Sequence, residues 1–598
     1  MRETGNLHVD PGTSCLVARE LPPIAALFVI TFDIKAGYTI SWKKTAQGVS
    51  LDGVEFKSLP SGLHNLDEDL VYFVQAPYAG VSAFIKVPAA EAERNALMLS
   101  VGILVPLSYG RLGRSWRHAE NLKNLAAKYA ANTTDHRHLD EYYGTHQIHE
   151  TAETDADSPV ESPSSLRYRP AGRYKPPFDR FNHTRARSVS DTTALVPPGQ
   201  TLSPFHPALS LGEYVDMFGP LIFPLYRAAL NRQRILLITG APVEQACNFV
   251  YDISILSNIP LSVADLLSSE PSRLRPLFSV GVHDIPFLED EAKRHTSSSP
   301  PSAIDNLGGE AGSWVACTTD GVLYLKSSLY DVVCTLPPVH NRDAKKRAWP
   351  SIESPAGTHI KATQRDLARY RTLRRSMRRY GRRKWQDDSN NNNGDRNNND
   401  DDEEEEEEEY EDEDTDVADG NERYREEQVC EKLSWREIAY TSFIWWASAG
   451  EKRSDPSAED NDIEDDGDGD DDNNDNDLAA PLASPDSDTL PLYPRPRPRS
   501  HHRRRRSSSD PPGSMEMEIV AYFHRLTGRL LSVMADIVEE GDEEEDVFFS
   551  LEDVERLGLD RYSEGDVRFV RAVCRRYFGR EASVEQGGWN CCAGVKWC

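Results

Sequence analysis

The sequence predicts an α/β protein: two compact α/β units, then a helical C-terminal region, with long disordered acidic insertions between. Three observations carry this. Short alternating strands fill residues 27–106, and from residue 209 continuously apolar strands alternate with helical segments, the pattern of a mostly parallel sheet covered on both faces. Only 38% of the 598 residues are hydrophobic, too few to place the whole chain in cores. The formal net charge of −30 is concentrated in Asp400 to Asp416 and in the Asp/Asn-rich stretch Glu459 to Asp477, and like-charge runs repel and solvate instead of folding.

In the first unit, taken as residues 21–131, "LFVITFD" (Leu27 to Asp33) and "YTISW" (Tyr38 to Trp42) flank a tight connection at Gly37 and read as a hairpin. "DLVYFVQ", "GVSAFIKV" (Gly80 to Val87) and "LMLSVGILVP" (Leu97 to Pro106) supply three more strands. Trp116, Ala119, Leu122, Leu125 and Tyr129 then mark a helix with one buried face, completing a small α/β sandwich. Residues 132–200 are polar and rich in Pro and Ser and read as a linker. Within it, "RARSVSD" (Arg185 to Asp191) has the arginine-before-serine spacing of a kinase site, a string common in such segments.

The second unit spans residues 205–343. Its opening helix stripe, from Leu211 to Ala229, contains Pro220 and Pro224, which should kink or split it. "RILLITGAPVEQACNF" (Arg234 to Phe249) then reads as strand, glycine turn and helix start, the arrangement of a phosphate site. It lacks the long glycine loop and the Lys-Ser or Lys-Thr of a P-loop, and the second and third glycines of a dinucleotide fingerprint. Glu244 would also occupy the positive helix end itself. The stretch therefore reads as scaffold. "LFSVGVHD", "SWVACTTD" and "YDVVCTLP" supply further strands. Asp320, at a strand end, is a candidate nucleophile or metal ligand, although Thr318 to Gly321 are ordinary turn formers with no GxSxG, HExxH or His/Asp cluster beside them, and structure is the better reading.

Beyond residue 343 come a basic amphipathic helix (360–384), an acidic insertion (385–428), an aromatic helical island (429–450), a second insertion (451–513), a helical region (514–582) and a Cys-containing tail (583–598). The arginine helix suits nucleic acid, a membrane surface or, better, the protein's own core; Arg369, Arg374 and Arg378 are the candidates for membrane contact. The tetra-arginine from Arg503 reads as counter-charge to the acidic runs ahead of a nuclear signal. Ser550 with Asp553 and Ser563 with Asp566 resemble capping boxes. Cys591 and Cys592 are candidate lipidation sites, with unmodified thiols the simpler reading. Nine cysteines without a CxxC pair fit a reducing compartment, and neither a secretory signal nor a membrane-spanning stretch is legible, so a cytoplasmic protein is expected.

Several long strings match in order: "VITFDIKAGYTISW", "GLHNLDEDLVYF", "RILLITGAPVEQACNFVYDISILSNIP", "WVACTTDGVLYLKSSLYDVVCTLP", "SWREIAYTSFIWWASAGE" and "LGLDRYSEGDVRFVRAVCRRYFGR". On these the chain resembles the LCHN-like branch of the DENN-domain proteins, in a fungal form with an added C-terminal region of unassigned function. The resemblance implies a longin-like N-terminal domain and a central α/β DENN domain. It also implies nucleotide exchange on a Rab-type small GTPase in membrane traffic. An exchange factor needs no covalent catalyst, so the expectation is no catalytic residue, no cofactor, no metal and no nucleic-acid partner. The alternative is a non-catalytic adaptor on a membrane or lipid-droplet surface, linked to lipid metabolism and held by the arginine helix or the terminal cysteines.

Overall fold

The computed structural model describes residues 21–33, 35–59, 61–62, 65–88, 96–148, 202–268, 272–296, 312–338, 348–392, 426–432, 515–541 and 545–585. The described chain divides into two compact units. The first holds residues up to Lys361 together with 492–536 and 576–579; the second holds 362–491, 537–575 and 580–598.

Five antiparallel strands open the first unit: β1 (Ala26–Asp33), β2 (Gly37–Thr45), β3 (Glu68–Gln75), β4 (Tyr78–Pro88) and β5 (Ala96–Pro106). The β1–β2 turn forms as its residues predict: Asp33 accepts from the amides of Lys35 and Ala36, both at 2.7 Å, and Gly37 sits at φ +79°. A short helix α1 (Val54–Ser58) precedes β3, and α2 (Ala119–Ala131) covers the sheet with Leu122, Leu125 and Tyr129 buried. The unit does not end at residue 131. A further helix, α3 (Arg137–His146), lies in the stretch read as linker, and its strand-like continuation pairs Gln147 with Ile24. Leu139 and Tyr143, four apart, supply the buried face that the polar composition of this stretch hides.

The central part begins with α4 (Leu211–Phe218) and α5 (Ile222–Leu230), separated by a 3-10 turn over Gly219–Leu221. The expected break therefore falls at Gly219 and Pro220, where Gly219 adopts φ +54° and the Trp349 ring fills the space a Cβ would need. Pro224 causes no break, since it stands in the first turn of α5, where no helical donor is lost. Then follow β6 (Ile235–Ile238), α6 (Glu244–Leu256), α7 (Leu261–Ala264), β7 (Arg275–Ser279), α8 (Ile285–Thr296), β8 (Trp314–Thr318), α9 (Gly321–Leu325), β9 (Val332–Thr335) and β10 (Ser351–Glu353). Strands β9, β6, β8 and β7 run parallel, each almost wholly buried, as continuously apolar strands covered on both faces must be.

The two α/β units read from sequence share one sheet. Its order is β10-β9-β6-β8-β7-β3-β4-β5-β1-β2, and the antiparallel and parallel halves meet through a single bridge, Phe73 with Phe278. Phe278 stands at φ +59°, a left-handed conformation costly for a bulky side chain, beside a register shift in β7. Helix α6 lies against both halves: Cys247 Sγ is 3.5 Å from the Tyr72 carbonyl of β3 and 3.6 Å from Cys317 Sγ of β8. The first part of a late helix, α11 (Met515–Glu540), adds Phe523 against Phe223 and Tyr226, and its Thr527 hydroxyl lies 2.6 Å from that of Tyr226.

In the second unit, α10 (Gln364–Asn392) carries Leu367, Tyr370, Leu373 and Met377 as its buried stripe, and it runs into the stretch taken as acidic insertion. So does a short ordered piece at 426–430, where Cys430 pairs with Ala362. Helices α12 (Leu551–Arg556) and α13 (Glu564–Val573) follow, with a two-stranded parallel sheet of β11 (Val547–Phe549) and β12 (Ala582–Val584) that the helical reading of this region missed. Three-residue strands are too short to leave an alternation in the sequence. The Ser550–Asp553 capping box forms. The Ser563–Asp566 box does not, because the Asp566 carboxylate accepts from the Asp560 amide at 2.8 Å instead. The aromatic island from 433 to 450, the "RARSVSD" string, the long acidic runs and the tail cysteines lie outside the described residues.

Candidate functional site

The glycine turn before α6 faces a carboxylate from another strand: Asp69 of β3 accepts from Val243 N at 2.7 Å and Glu244 N at 3.2 Å, filling the helix end with a charge of the protein's own. Burial pushes the Asp69 carboxyl up to about 6 despite three backbone donors, and pushes Glu244 up to about 7, with Lys123 opposing both shifts. Nothing in this arrangement invites a phosphate.

Among the arginines of α10, Arg369 is 5% exposed and donates to the Gly558 carbonyl, so its side chain turns inward. Arg374 lies against the buried Glu426 carboxylate at 3.4 Å, which also receives Arg371 Nε at 3.0 Å. Arg378 is exposed. The sequence counted the charges correctly and could not place their partners, which come from residues 52 to 189 positions away. Cys591 and Cys592 lie outside the described residues.

The feature that stands out is apolar. Parallel strands β7 and β8 end side by side, and the turns leaving them lead into α8 and α9. There Val282 is 43% exposed, Phe287 40%, Val322 50%, Tyr324 39% and Leu325 79%. Single exposed apolar residues are ordinary, but these five lie on the two segments that leave the neighbouring strands β7 and β8 (282–287 and 322–325), here termed the ridge, and large exposed apolar patches mark interaction sites. The two helices are tied by Lys326 to Glu289 at 3.0 Å, and the turn is tied to α9 by Val282 N donating to Asp320 at 3.1 Å. The ridge also lies outside the carboxyl ends of parallel strands, where open α/β sheets place their binding crevices. Below it, Arg275 of β7 and Glu291 of α8 form an ion pair with both side chains 1% exposed, and Glu291 accepts from Gly312 N at 2.7 Å.

The Asp320 carboxylate accepts from the Ser61 hydroxyl and from Val282 N. Among the described residues no group of three or more His, Cys, Asp or Glu is placed to hold a metal ion, and no helix is long and apolar enough to cross a membrane. Sequence reasoning passed over the ridge because "GVLYLKSSLY" has the apolar spacing of a helix facing a core.

A mixed sheet, half antiparallel and half parallel, with helices packed against it defines an α/β domain. Residues 27–346 match the family model described as DENN domain-containing protein 11, and the chain belongs to that family. Residues 430–547 and 541–598 match a domain of unknown function, DUF4484. The chain is 31% identical over 314 residues to DENN domain-containing protein 11 of Danio rerio, a match covering 52% of this chain and 54% of that protein. The Rattus norvegicus relative is 30% identical over 54% of this chain and 60% of its own length. The chain thus spans little more than half of the vertebrate relatives it matches. By contrast the uncharacterized protein ANR2 of Saccharomyces cerevisiae is 23% identical over 94% of this chain and 93% of its own length.

Proposed function

We propose that the chain is a DENN-type regulator of membrane traffic, acting as a guanine nucleotide exchange factor on a Rab-type small GTPase, with the ridge of Val282, Phe287, Val322, Tyr324 and Leu325 as the surface that meets the partner. The antiparallel half is then its longin-like domain and the parallel half its central DENN domain. The observation that carries the reading is the exposed apolar ridge on a buried, ion-paired support in a DENN-family fold. Exchange needs a rigid surface that binds the partner's switch segments in an open arrangement and so favours its nucleotide-free state over the bound one. A preformed ridge meets that need, since little ordering has to accompany docking. An interface of the usual size, about 1,600 Å² in total, would extend beyond the ridge onto the antiparallel half.

Against the adaptor reading, Arg369 donates to the Gly558 carbonyl and Arg374 lies against Glu426, so two of its three candidate arginines meet groups of the protein itself. The exchange reading is tested by fluorescent-GDP release from a panel of Rab-type GTPases, with the full chain and with Val322→Asp/Leu325→Asp. Selective acceleration that the double variant loses supports it. Vesicle binding without acceleration of any GTPase favours the adaptor.

A further inference from the structure

Three segments meet at Asp320. The residue stands at the N-cap of α9, where an aspartate ordinarily turns an oxygen onto the first amides of its own helix. Here the side chain makes no such bond. One oxygen accepts from the Ser61 hydroxyl, just after α1, and the other from Val282 N at 3.1 Å, in the turn leaving β7. Its own amide is held by Thr318 Oγ1 at 3.1 Å. The neighbours of Val282 are held from the same side: the His283 ring stacks on Phe56 with centroids 3.6 Å apart, and Asp284 pairs with Lys57 at 3.0 Å. Lys57 in turn donates to the Val74 carbonyl of β3 at 2.8 Å. Every residue of the turn Val282–Asp284 is thus fixed either by Asp320 or by α1 of the antiparallel half.

We propose that Asp320 is the positioning residue of the ridge, joining the turn that carries Val282 to the helix that carries Val322 and Leu325 and tying both to the α1 segment. The inference rests on the ridge being the partner surface. It makes the surface composite: the antiparallel half contributes its clamp as well as its area. Without the carboxylate, Val282 N loses its acceptor and α1 loses one of its three ties to the turn region, while the buried strands beneath keep all their bonds. The effect is therefore local loosening, the kind that opens a turn without unfolding the sheet.

Hydrogen–deuterium exchange of the full chain tests this without any GTPase, comparing wild type, Asp320→Ala, Asp320→Asn and Ser61→Ala. A lost hydrogen bond to a charged group corresponds to opening about tenfold more frequent or greater. Asp320→Ala should therefore speed exchange by about that factor in Gly281 to Asp284 and Val54 to Ser58, with β6 and β8 unchanged and the unfolding temperature lowered by less than about 4 °C. Asp320→Asn keeps an acceptor for Val282 N and should restore most of the protection in the turn. Ser61→Ala should loosen the α1 segment more than the turn. Unchanged exchange in Asp320→Ala, or acceleration throughout the sheet with a large fall in unfolding temperature, would overturn the proposal. On a GTPase that responds to wild type, Asp320→Ala should slow catalysed GDP release about tenfold, the loss set by the same bond; an unchanged rate with a loosened turn also overturns it. If no GTPase responds to wild type, the exchange reading fails, and the deuterium experiment still decides whether Asp320 positions the ridge.

Discussion

Helix α10 and the α8–α9 ridge invert what their sequences suggest. The first is crowded with arginine yet buries Arg369 on a backbone carbonyl and sets Arg371 and Arg374 against Glu426; the second is apolar yet leaves Leu325 79% exposed. Composition describes what a segment carries, and tertiary partners decide what it shows to water. A charge that finds a buried carboxylate costs less inside than an unpaired one would, whereas an apolar residue left outside forgoes burial. The partners of α10 account for Arg365, Arg369, Arg371 and Arg374.

The comparison breaks first at the support of the ridge. Arg275→Met leaves the buried Glu291 with only the half-exposed Arg294 and the Gly312 amide as partners, and should cost up to about 3–5 kcal/mol in chemical denaturation, the range for breaking a buried pair. A loss below about 1 kcal/mol would mean the pair is not the anchor of α8.

Next in size is the pH dependence of the seam between the two sheet halves. Asp69 has an ordinary value of 3.8 and is raised to about 6, and Glu244 is raised from 4.5 to about 7, both chiefly by burial. A raised folded-state pKa means that the folded protein holds the proton more tightly. The stability from Asp69 is therefore full below 3.8 and is lost as pH rises through about 6, and that from Glu244 is lost through about 7, together on the order of a few kcal/mol. Asp69→Asn retains an acceptor for the α6 amides and should flatten the slope of unfolding free energy against pH across the lower part of this window. An unaltered slope would place the titration elsewhere.

Smaller again is the contrast within α10 itself. Arg369→Ala should cost about 1.5–3 kcal/mol through the unmet Gly558 carbonyl and lost packing, and the exposed Arg378→Ala less than about 1 kcal/mol, in the same denaturant titration. Equal losses would erase the distinction between inward and outward arginines. The smallest stability change belongs to the ridge, where Val322→Asp/Leu325→Asp should stay within about 0.5 kcal/mol of wild type because both residues already face water.

Much of the fold was legible. Alternation placed β1 to β5, continuous apolar runs placed β6 to β9, and of the two prolines expected to split the helix Pro220 marks the break while Pro224 does not. What escaped was non-local. Nothing around Phe278 announces a left-handed aromatic or the bridge that fuses two sheet halves into one. Helix α3 hid because its buried face is two residues, Leu139 and Tyr143, in a polar stretch. The candidate site was the least legible part. Asp320 looked like a turn former and is one, but its bonds to Ser61 and Val282 span 259 and 38 positions, and Asp69 reaches α6 across 174. Such pairings depend on which strands lie side by side, which local pattern does not specify.

The most direct test of the account compares fluorescent-GDP release from Rab-type GTPases by wild type, the Val322→Asp/Leu325→Asp variant and Arg378→Ala. Wild type should accelerate release selectively, the ridge variant should lose that acceleration despite an unchanged unfolding transition, and Arg378→Ala should retain it. Acceleration that survives in the ridge variant, or disappears in Arg378→Ala, would contradict it.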